Sequence, residues 1–567
     1  MQISRREFIQ TLAAAAASGH SLNLAAKKNQ SRFKAVAADM YELPPYGDVS
    51  IMHITDVHAQ LMPIYFREPS TNIGLGRAKG KPPHIVGTDY LEYFGVEKNT
   101  AAAHAFTHLN FSEAARHYGK LGGYAHLATL VKKIRAQRPD SLLLDGGDSW
   151  QGSATALWTR AQDMVDANIL LGVDVMTGHW EFTYGAERVK EIVNNDFKNK
   201  IDFIAHNIVD TDFEDPVFKP YVMRELNGVQ VAIIGQAFPY TPIANPRYMM
   251  PKWSFGIRDE QCQKIVDKVR SLGASVVIIL SHNGMDVDIK MASLMTGVDA
   301  IMGGHTHDAI PKPIEVKNKS GITLVVNSGC AGKFISVLDF KVTNKRVTGY
   351  QFKLLPVFSN LIEPDHEMDE YITQIRKPYL SRLNEELAVS NDLLYRRGTF
   401  NGSFDQLILD AMLETQDAQI ALSPGFRWGM SVLPGQAVTF EDVMTQTAIT
   451  YPITTLTMMS GARIKEILED VADNIFNPDP YKQQGGDMVR VGGMQYDIKP
   501  NAKIGHRIQN MRLNGKSILA NKQYKVAGWA SVSQPLEGIP IWDTVANYLR
   551  DKKVISISDL NQPKIIS

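Results

Sequence analysis

The chain has 567 residues, too many for one hydrophobic core, so at least two domains are expected. Lys+Arg and Asp+Glu each number 60, which leaves no overall field to gather nucleic acid or hold an anionic membrane surface. Only two cysteines are present, Cys262 and Cys330, which excludes a disulfide framework and any Cys-rich zinc module.

At the N-terminus, Ser4-Arg5-Arg6-Glu7-Phe8-Ile9 precedes an Ala-rich run, Ala13 to Ala17. Paired arginines before a modest apolar region have the form of a twin-arginine export signal over residues 1–27. The run is too short to span a bilayer, so a periplasmic protein without membrane insertion is expected. Residues 28–48 are mixed and polar and read as a linker or a surface-hugging strand. A β-branched strand over 50–55 then ends in Asp56-Val57-His58. From 60 to 119 periodicity is lost, the mark of an insertion or lid. The histidines there, His84, His104, His108 and His117, lack a coherent spacing and read as surface residues.

Order returns at Gly122-Gly123, followed by a helical pattern over Ala125 to Arg135. The buried strand Ser141 to Leu144 breaks at Gly146-Gly147 and exposes Asp148. A helix carrying Met164, Ala167 and Leu170 leads to a strand ending in Gly178-His179-Trp180-Glu181-Phe182. Further strands run into His206, into His282, and into Gly304-His305-Thr306-His307. Strand, polar loop, helix, strand is the pattern of a layered α/β (α+β) domain with functional loops at the strands' C-terminal ends. That catalytic domain is expected over 48–360. An acidic Leu/Ile-patterned stretch reads as one long solvated linker helix over 361–390. Residues 391–567 read as a second α/β domain that shapes the substrate pocket, because they carry few clustered metal-donor side chains.

Seven strand-end side chains stand out: Asp56, His58, Asp148, His179, His282, His305 and His307. Carboxylates and imidazoles without thiolates suit a pair of divalent ions such as manganese, zinc or iron. Two such ions ~3.5–4 Å apart activate water near neutral pH and clamp a tetrahedral oxyanion.

Asp56-Val57-His58, Gly147-Asp148, His282 and Gly304-His305-Thr306-His307 resemble the calcineurin-like metallophosphoesterase signature. Gly122-Gly123, Asn327-Ser328-Gly329 and the region around Gly485-Gly486 extend the resemblance to the 5′-nucleotidase family. The resemblance implies an N-terminal metallophosphoesterase β-sandwich with flanking helices and a C-terminal 5′-nucleotidase-like domain. It also implies one metal on Asp56, His58, Asp148 and His307, and a second on Asp148, His179, His282 and His305.

One motif departs from that family. Where it has Gly-Asn-His-Glu-Phe-Asp, with a His–Asp dyad assisting the leaving group, this chain has Gly178-His179-Trp180-Glu181-Phe182-Thr183. Trp180 donates no acid proton, and Thr183 has no His to orient. Expelling an alkoxide benefits from an acid; a sulfur leaving group needs it less, a free thiol having a pKa of ~8.5. With the leader and the altered motif, the chain resembles the SoxB thiosulfohydrolases of sulfur oxidation. That family implies two manganese ions and a cysteine S-thiosulfonate on the C-terminal arm of the SoxYZ carrier, hydrolysed to sulfate and a carrier persulfide. Arg427, in Ser423-Pro424-Gly425-Phe426-Arg427-Trp428, is the candidate for steering the sulfonate, and a structural salt bridge is its alternative. Trp180 and His206 complete the pocket candidates. A periplasmic 5′-nucleotidase and a non-catalytic metal-binding module are the competing readings.

Overall fold

The computed structural model describes residues 40–566 apart from 534 and 558, and the export-signal expectation over 1–27 lies outside the described residues. Tyr46–Ser567 forms one compact unit.

The N-terminal half is built on two six-stranded sheets. The strands are β1 (Val49–Ile54), β2 (Leu142–Asp145), β3 (Val175–Met176), β4 (Asp202–Phe203), β5 (Tyr221–Leu226), β6 (Val229–Gln236), β7 (Val276–Ser281), β8 (Ala300–Gly303), β9 (Ile314–Asn318), β10 (Gly321–Asn327), β11 (Phe334–Thr343) and β12 (Arg346–Pro356). One sheet runs β12-β11-β1-β2-β3-β4 and the other β9-β10-β8-β7-β6-β5. Alternate residues of each sheet point into a shared core, Val49 and Ile51 of β1 meeting Val231 and Ile233 of β6 and Ile278 and Leu280 of β7. This period of two is the face-to-face packing of a sandwich. The remaining face of β1, with Met52 and Ile54, is also buried, which accounts for the unbroken apolar run in the sequence.

β1 to β4 are parallel neighbours, as are β6, β7 and β8. Their C-terminal ends therefore lie on one edge of each sheet, and every loop carrying a donor-type side chain leaves from such an edge.

Two sequence expectations change. Residues 60–119 contain three short helices, Gly87–Phe94, Ala101–Phe106 and Phe111–Tyr118, with Tyr90, Leu91, Phe106 and Phe111 buried. Six to eight residues are too few to print a helical period, which is why the segment reads as irregular. His104 is accordingly buried, its ring between Phe111 and Tyr118 at 5.6 and 5.7 Å, and only His117 of the four histidines is exposed. The linker over 361–390 is not one helix. An α-helix spans His366–Arg376, a 3-10 turn Lys377–Tyr379 and a short helix Leu380–Leu383, and Glu386–Ser390 is a strand. Pro378 has no N–H for the helical ladder and breaks it there.

The C-terminal half contains a four-stranded sheet in the order Thr454–Ser460, Gln523–Trp529, Ile420–Ser423, Arg490–Gly492. The helix Ser403–Thr415 buries Phe404, Leu407, Ile408 and Ala411 in its core. The two halves meet over the metal-donor loops. His305 of the first and Gly485 of the second approach so closely that a Cβ on Gly485 would stand 1.9 Å from His305 Nε2.

Candidate metal centre

Five of the seven candidate donors have backbone in the left-handed region: Asp56, His58, Asp148, His305 and His307, with φ of 52°, 49°, 59°, 74° and 60°. That region is sparsely populated by non-glycine residues and gathers where a tight reversal must aim a side chain. Gly304 has its own reason for being glycine: a Cβ there would fall 2.4 Å from Thr55 Oγ1 and 2.9 Å from His282 Nδ1.

The seven side chains converge in two sets that share Asp148. Asp56, His58, Asp148 and His307 each offer a donor atom within 4.8 Å of the others, and so do Asp148, His179, His282 and His305. All seven are buried. Asp148 Oδ2 lies 3.2 Å from His179 Nδ1, 3.0 Å from His282 Nε2 and 3.7 Å from His58 Nε2. Asp56 Oδ1 lies 3.2 Å from His307 Nε2 and 3.6 Å from His282 Nε2.

This donor chemistry fits a pair of divalent cations. His282 Nδ1 sits 2.6 Å from the Gly146 carbonyl and His58 Nδ1 3.2 Å from that of Gln151, so these nitrogens carry the hydrogens. Nε2 is then the ring nitrogen left facing the carboxylates, the atom through which each imidazole would hold a cation. His58 Nε2 and His307 Nε2 stand 3.1 Å apart, and the Nε2 atoms of His179 and His305 are buried without a hydrogen-bond partner. Burial pushes Asp148 up, but the imidazoles of His179 and His282 outweigh it and hold the carboxyl well below its usual range. Burial depresses His305 and His307, the neighbouring imidazoles adding to the effect, so both stay neutral.

Glu181 fixes the loops that carry these groups. Its buried carboxylate accepts the backbone N–H of Ser149 and His179 at 2.7 Å each, of Asp148 at 3.2 Å and of Trp150 at 3.3 Å. It thus ties the loop after β2 to the loop after β3. Burial, with Asp148 adding to it, raises Glu181 to about 7.

The centre opens into a cleft of about 290 Å³ whose walls include Phe238, Ile243, Phe426, Trp428 and Tyr451. Phe426 and Trp428 stack on each other at 4.0 Å, and Trp180 stands edge-on to both. Phe238 covers His179 at 4.0 Å and His305 at 4.2 Å between ring centroids.

The matching family description is the 5′-nucleotidase C-terminal domain, over residues 387–543. Among solved structures, the sulfate thiohydrolase SoxB of Thermus thermophilus superposes with a TM-score of 0.89 at 34% identity, over 93% of this chain and 98% of that one. The chain belongs to the SoxB family, within the 5′-nucleotidase superfamily. A 5′-nucleotidase precursor from Thermus thermophilus shares the fold, with a TM-score of 0.73 at 20% identity over 92% of this chain and 99% of its own. Among curated sequences, rat 5′-nucleotidase is 26% identical over 67% of this chain and 70% of its own length. The trifunctional nucleotide phosphoesterase YfkN of Bacillus subtilis is 25% identical over 74% of this chain. The chain spans 31% of YfkN's length. These relatives make this SoxB-family chain a hydrolase.

The remaining sequence candidates divide. Trp180 lines the cleft. Arg427 lines it too, but its guanidinium is engaged inward, with Asp487 at 3.3 Å, the His305 carbonyl at 3.1 Å and the Gly486 carbonyl at 2.7 Å. The salt-bridge alternative therefore describes its contacts, and it positions His305 more than it offers a free fork. His206 lies outside the cleft. Its Nε2 is 2.6 Å from Gln236 Oε1, and Gln236 in turn donates to Asn283 beside His282. Burial lowers His206 to about 4, and it serves as a neutral strut. Sequence reasoning passed over Glu181 as part of a motif and missed Phe238, which no spacing rule marks.

Proposed function

We propose that this chain is a thiosulfohydrolase, cleaving the terminal sulfonate from a carrier-protein cysteine S-thiosulfonate. The carrying observation is the pair Trp180 and Thr183. Trp180 presents an indole to the cleft, and Thr183 Oγ1 is 2.6 Å from Thr450 Oγ1, so neither supplies an acid to a leaving group. The likeness to a SoxB structure along nearly the whole chain supports the same reading.

In this reading Asp56, His58, Asp148 and His307 hold one divalent cation and Asp148, His179, His282 and His305 the other, manganese being the expected metal. Such a pair supplies a water acidified to near-neutral pKa and positive charge beside the oxyanion. Glu181 holds the donor loops at fixed separation. Phe238, Trp180 and the Phe426–Trp428 stack give the cleft apolar walls that exclude bulk water and strengthen interactions inside it. Hydrolysis joins a water oxygen to the sulfonate sulfur, breaks the bond between that sulfur and the outer carrier sulfur, and releases the water's two protons to solvent. Sulfate departs, and the carrier sulfur keeps the bonding electron pair as a persulfide anion that needs no proton from the enzyme. The carrier is SoxYZ, whose C-terminal arm bears the cysteine, and the reaction takes place in the periplasm after twin-arginine export.

The experiment presents the metal-loaded protein with a carrier whose cysteine bears S-thiosulfonate, and separately with AMP. Sulfate release with little AMP turnover is expected. Rapid AMP hydrolysis without sulfate release would sink the proposal in favour of a 5′-nucleotidase, the reading favoured by the curated sequence relatives. Purified protein that holds no metal after incubation with manganese or zinc would indicate a non-catalytic module.

A further inference from the structure

His282, a donor of the second cation set, leaves the end of β7 between two anchored neighbours. Ser281 Oγ donates to Asp288 Oδ1 at 2.7 Å, and Asn283 Nδ2 donates to the same oxygen at 3.1 Å. The Asn283 N–H also donates to Ser281 Oγ at 3.2 Å. Both residues that flank the imidazole are thereby fixed to one carboxylate in the first turn of the helix Met285–Leu294. Gln236, the last residue of β6, holds the same turn twice more. Its carbonyl accepts the His282 N–H at 2.8 Å, and its Nε2 donates to Asn283 Oδ1 at 3.0 Å. His206 ends the series, its Nε2 standing 2.6 Å from Gln236 Oε1.

The direction of each bond follows from the carboxylate end. Asp288 Oδ1 accepts from the Asn283 amide nitrogen, which turns Asn283 Oδ1 to Gln236 and requires the Gln236 NH2 to donate. Gln236 Oε1 is then left for His206, whose Nε2 must carry the hydrogen. Burial keeps that ring neutral, and His206 Nδ1 has no hydrogen-bond partner among the described residues, so a single tautomer satisfies the series. His206, Gln236, Ser281, His282, Asn283 and Asp288 are all buried, and bulk water does not replace a partner lost there. Backbone contacts bring the distant segments together. The His206 N–H donates to the Gly235 carbonyl at 2.8 Å, and a Cβ on Gly235 would overlap the Ile204 carbonyl.

We propose that His206, Gln236 and Asn283 form a one-directional hydrogen-bond series that positions His282 for the second cation. His206 is then a positioning residue of the metal centre, although it lies outside the cleft and is not among the donors. The inference rests on the two-cation reading and is independent of which substrate the cleft takes. Removing the His206 donor frees the Gln236 amide to turn its oxygen towards Asn283 Oδ1, and the turn that carries His282 loses its fixed setting.

The test titrates Co2+ into the full chain stripped of metal, followed by calorimetry and by visible absorption. The native protein should bind two ions. In His206→Leu and in Gln236→Glu one ion should bind about 10–100-fold more weakly, with its cobalt bands shifted, and the other with native affinity. His206→Gln keeps an N–H donor and should restore native binding. If Gln236→Glu does not fold, the two His206 variants carry the comparison. A His206→Leu protein with lowered Tm that still binds both ions with native affinity and spectrum would make the series packing alone and overturn the proposal. Native protein that takes up one ion or none would remove the two-cation reading and this inference with it.

Discussion

His58 Nε2 and His307 Nε2 face each other across 3.1 Å inside the protein, although 249 residues separate them in the chain. With each hydrogen on Nδ1, both Nε2 atoms turn a lone pair into the same small space, where one cation could take both. The nearest carboxylates, Asp148 and Asp56, lie 3.7 Å from His58 and 3.2 Å from His307. A divalent cation shared by the four groups would use both lone pairs and neutralise both carboxylates. Removing metal with a chelator should lower Tm by several degrees, and added manganese should restore it. Elemental analysis should find two ions per chain in the native protein, one in His307→Ala and fewer than one in Asp148→Asn. Unchanged metal content in Asp148→Asn would show that it does not join the two sets.

Glu181 should matter for metal affinity even though it is no donor to the metal. Four backbone N–H groups converge on its carboxylate, from both loops that flank Asp148 and His179. Glu181→Gln replaces one accepting oxygen with an NH2 that opposes those donors. Partners that orient metal ligands are typically worth 10–100-fold in affinity, and a loss of that order is expected for the second ion by calorimetric titration. A variant that folds normally and binds both ions with native affinity would remove Glu181 from this role.

How much of this could be read from the chain follows from the distance over which each feature is encoded. Asp56, Asp148 and His282 each end a short β-branched or leucine-rich run, and in a parallel sheet such runs finish on a common edge, so their convergence was legible. The left-handed backbone at His58, His305 and His307 was not, because histidine carries no propensity that announces it. Glu181 looks like one more motif letter until four amides are seen around it. The long linker helix failed at Pro378, a local signal that the surrounding Leu/Ile pattern masked. His104 failed for another reason: its burial depends on Phe111, Tyr118 and Phe358, the last of them far along the chain.

The buried His104 also makes a pH prediction. Burial, with Lys333 adding to it, lowers its pKa from 6.5 to about 4. The folded state therefore keeps it neutral while the unfolded chain protonates it below about 6.5. Its share of stability is full above pH 6.5 and is lost as pH falls from 6.5 towards 4. At pH 5 that loss is about 2 kcal/mol. His104→Phe retains the stack on Phe111 and Tyr118 and removes the titrating group. Denaturant unfolding at pH 7 and pH 5 should show a difference smaller by that amount in the variant. Identical acid sensitivity in both proteins would mean that other buried groups carry the transition.

Trp180 and Thr183 offer the sharpest test of why this centre would prefer a sulfur leaving group. Residue 180 is anchored by its backbone N–H, which donates to Asp148 Oδ1 at 2.7 Å, and is so held beside the donor that both metal sets share. A histidine there, oriented by an aspartate at 183, would restore the acid dyad of the phosphoesterases. The double variant Trp180→His/Thr183→Asp should gain AMP hydrolysis by on the order of 100-fold, the lower end for a placed general acid. The same variant should lose sulfate release, because Trp180 no longer closes the cleft edge-on to Phe426 and Trp428. Equal metal content and circular dichroism separate this outcome from misfolding. A folded, metal-loaded double variant with no gain on AMP would mean that the missing dyad is not what sets the substrate.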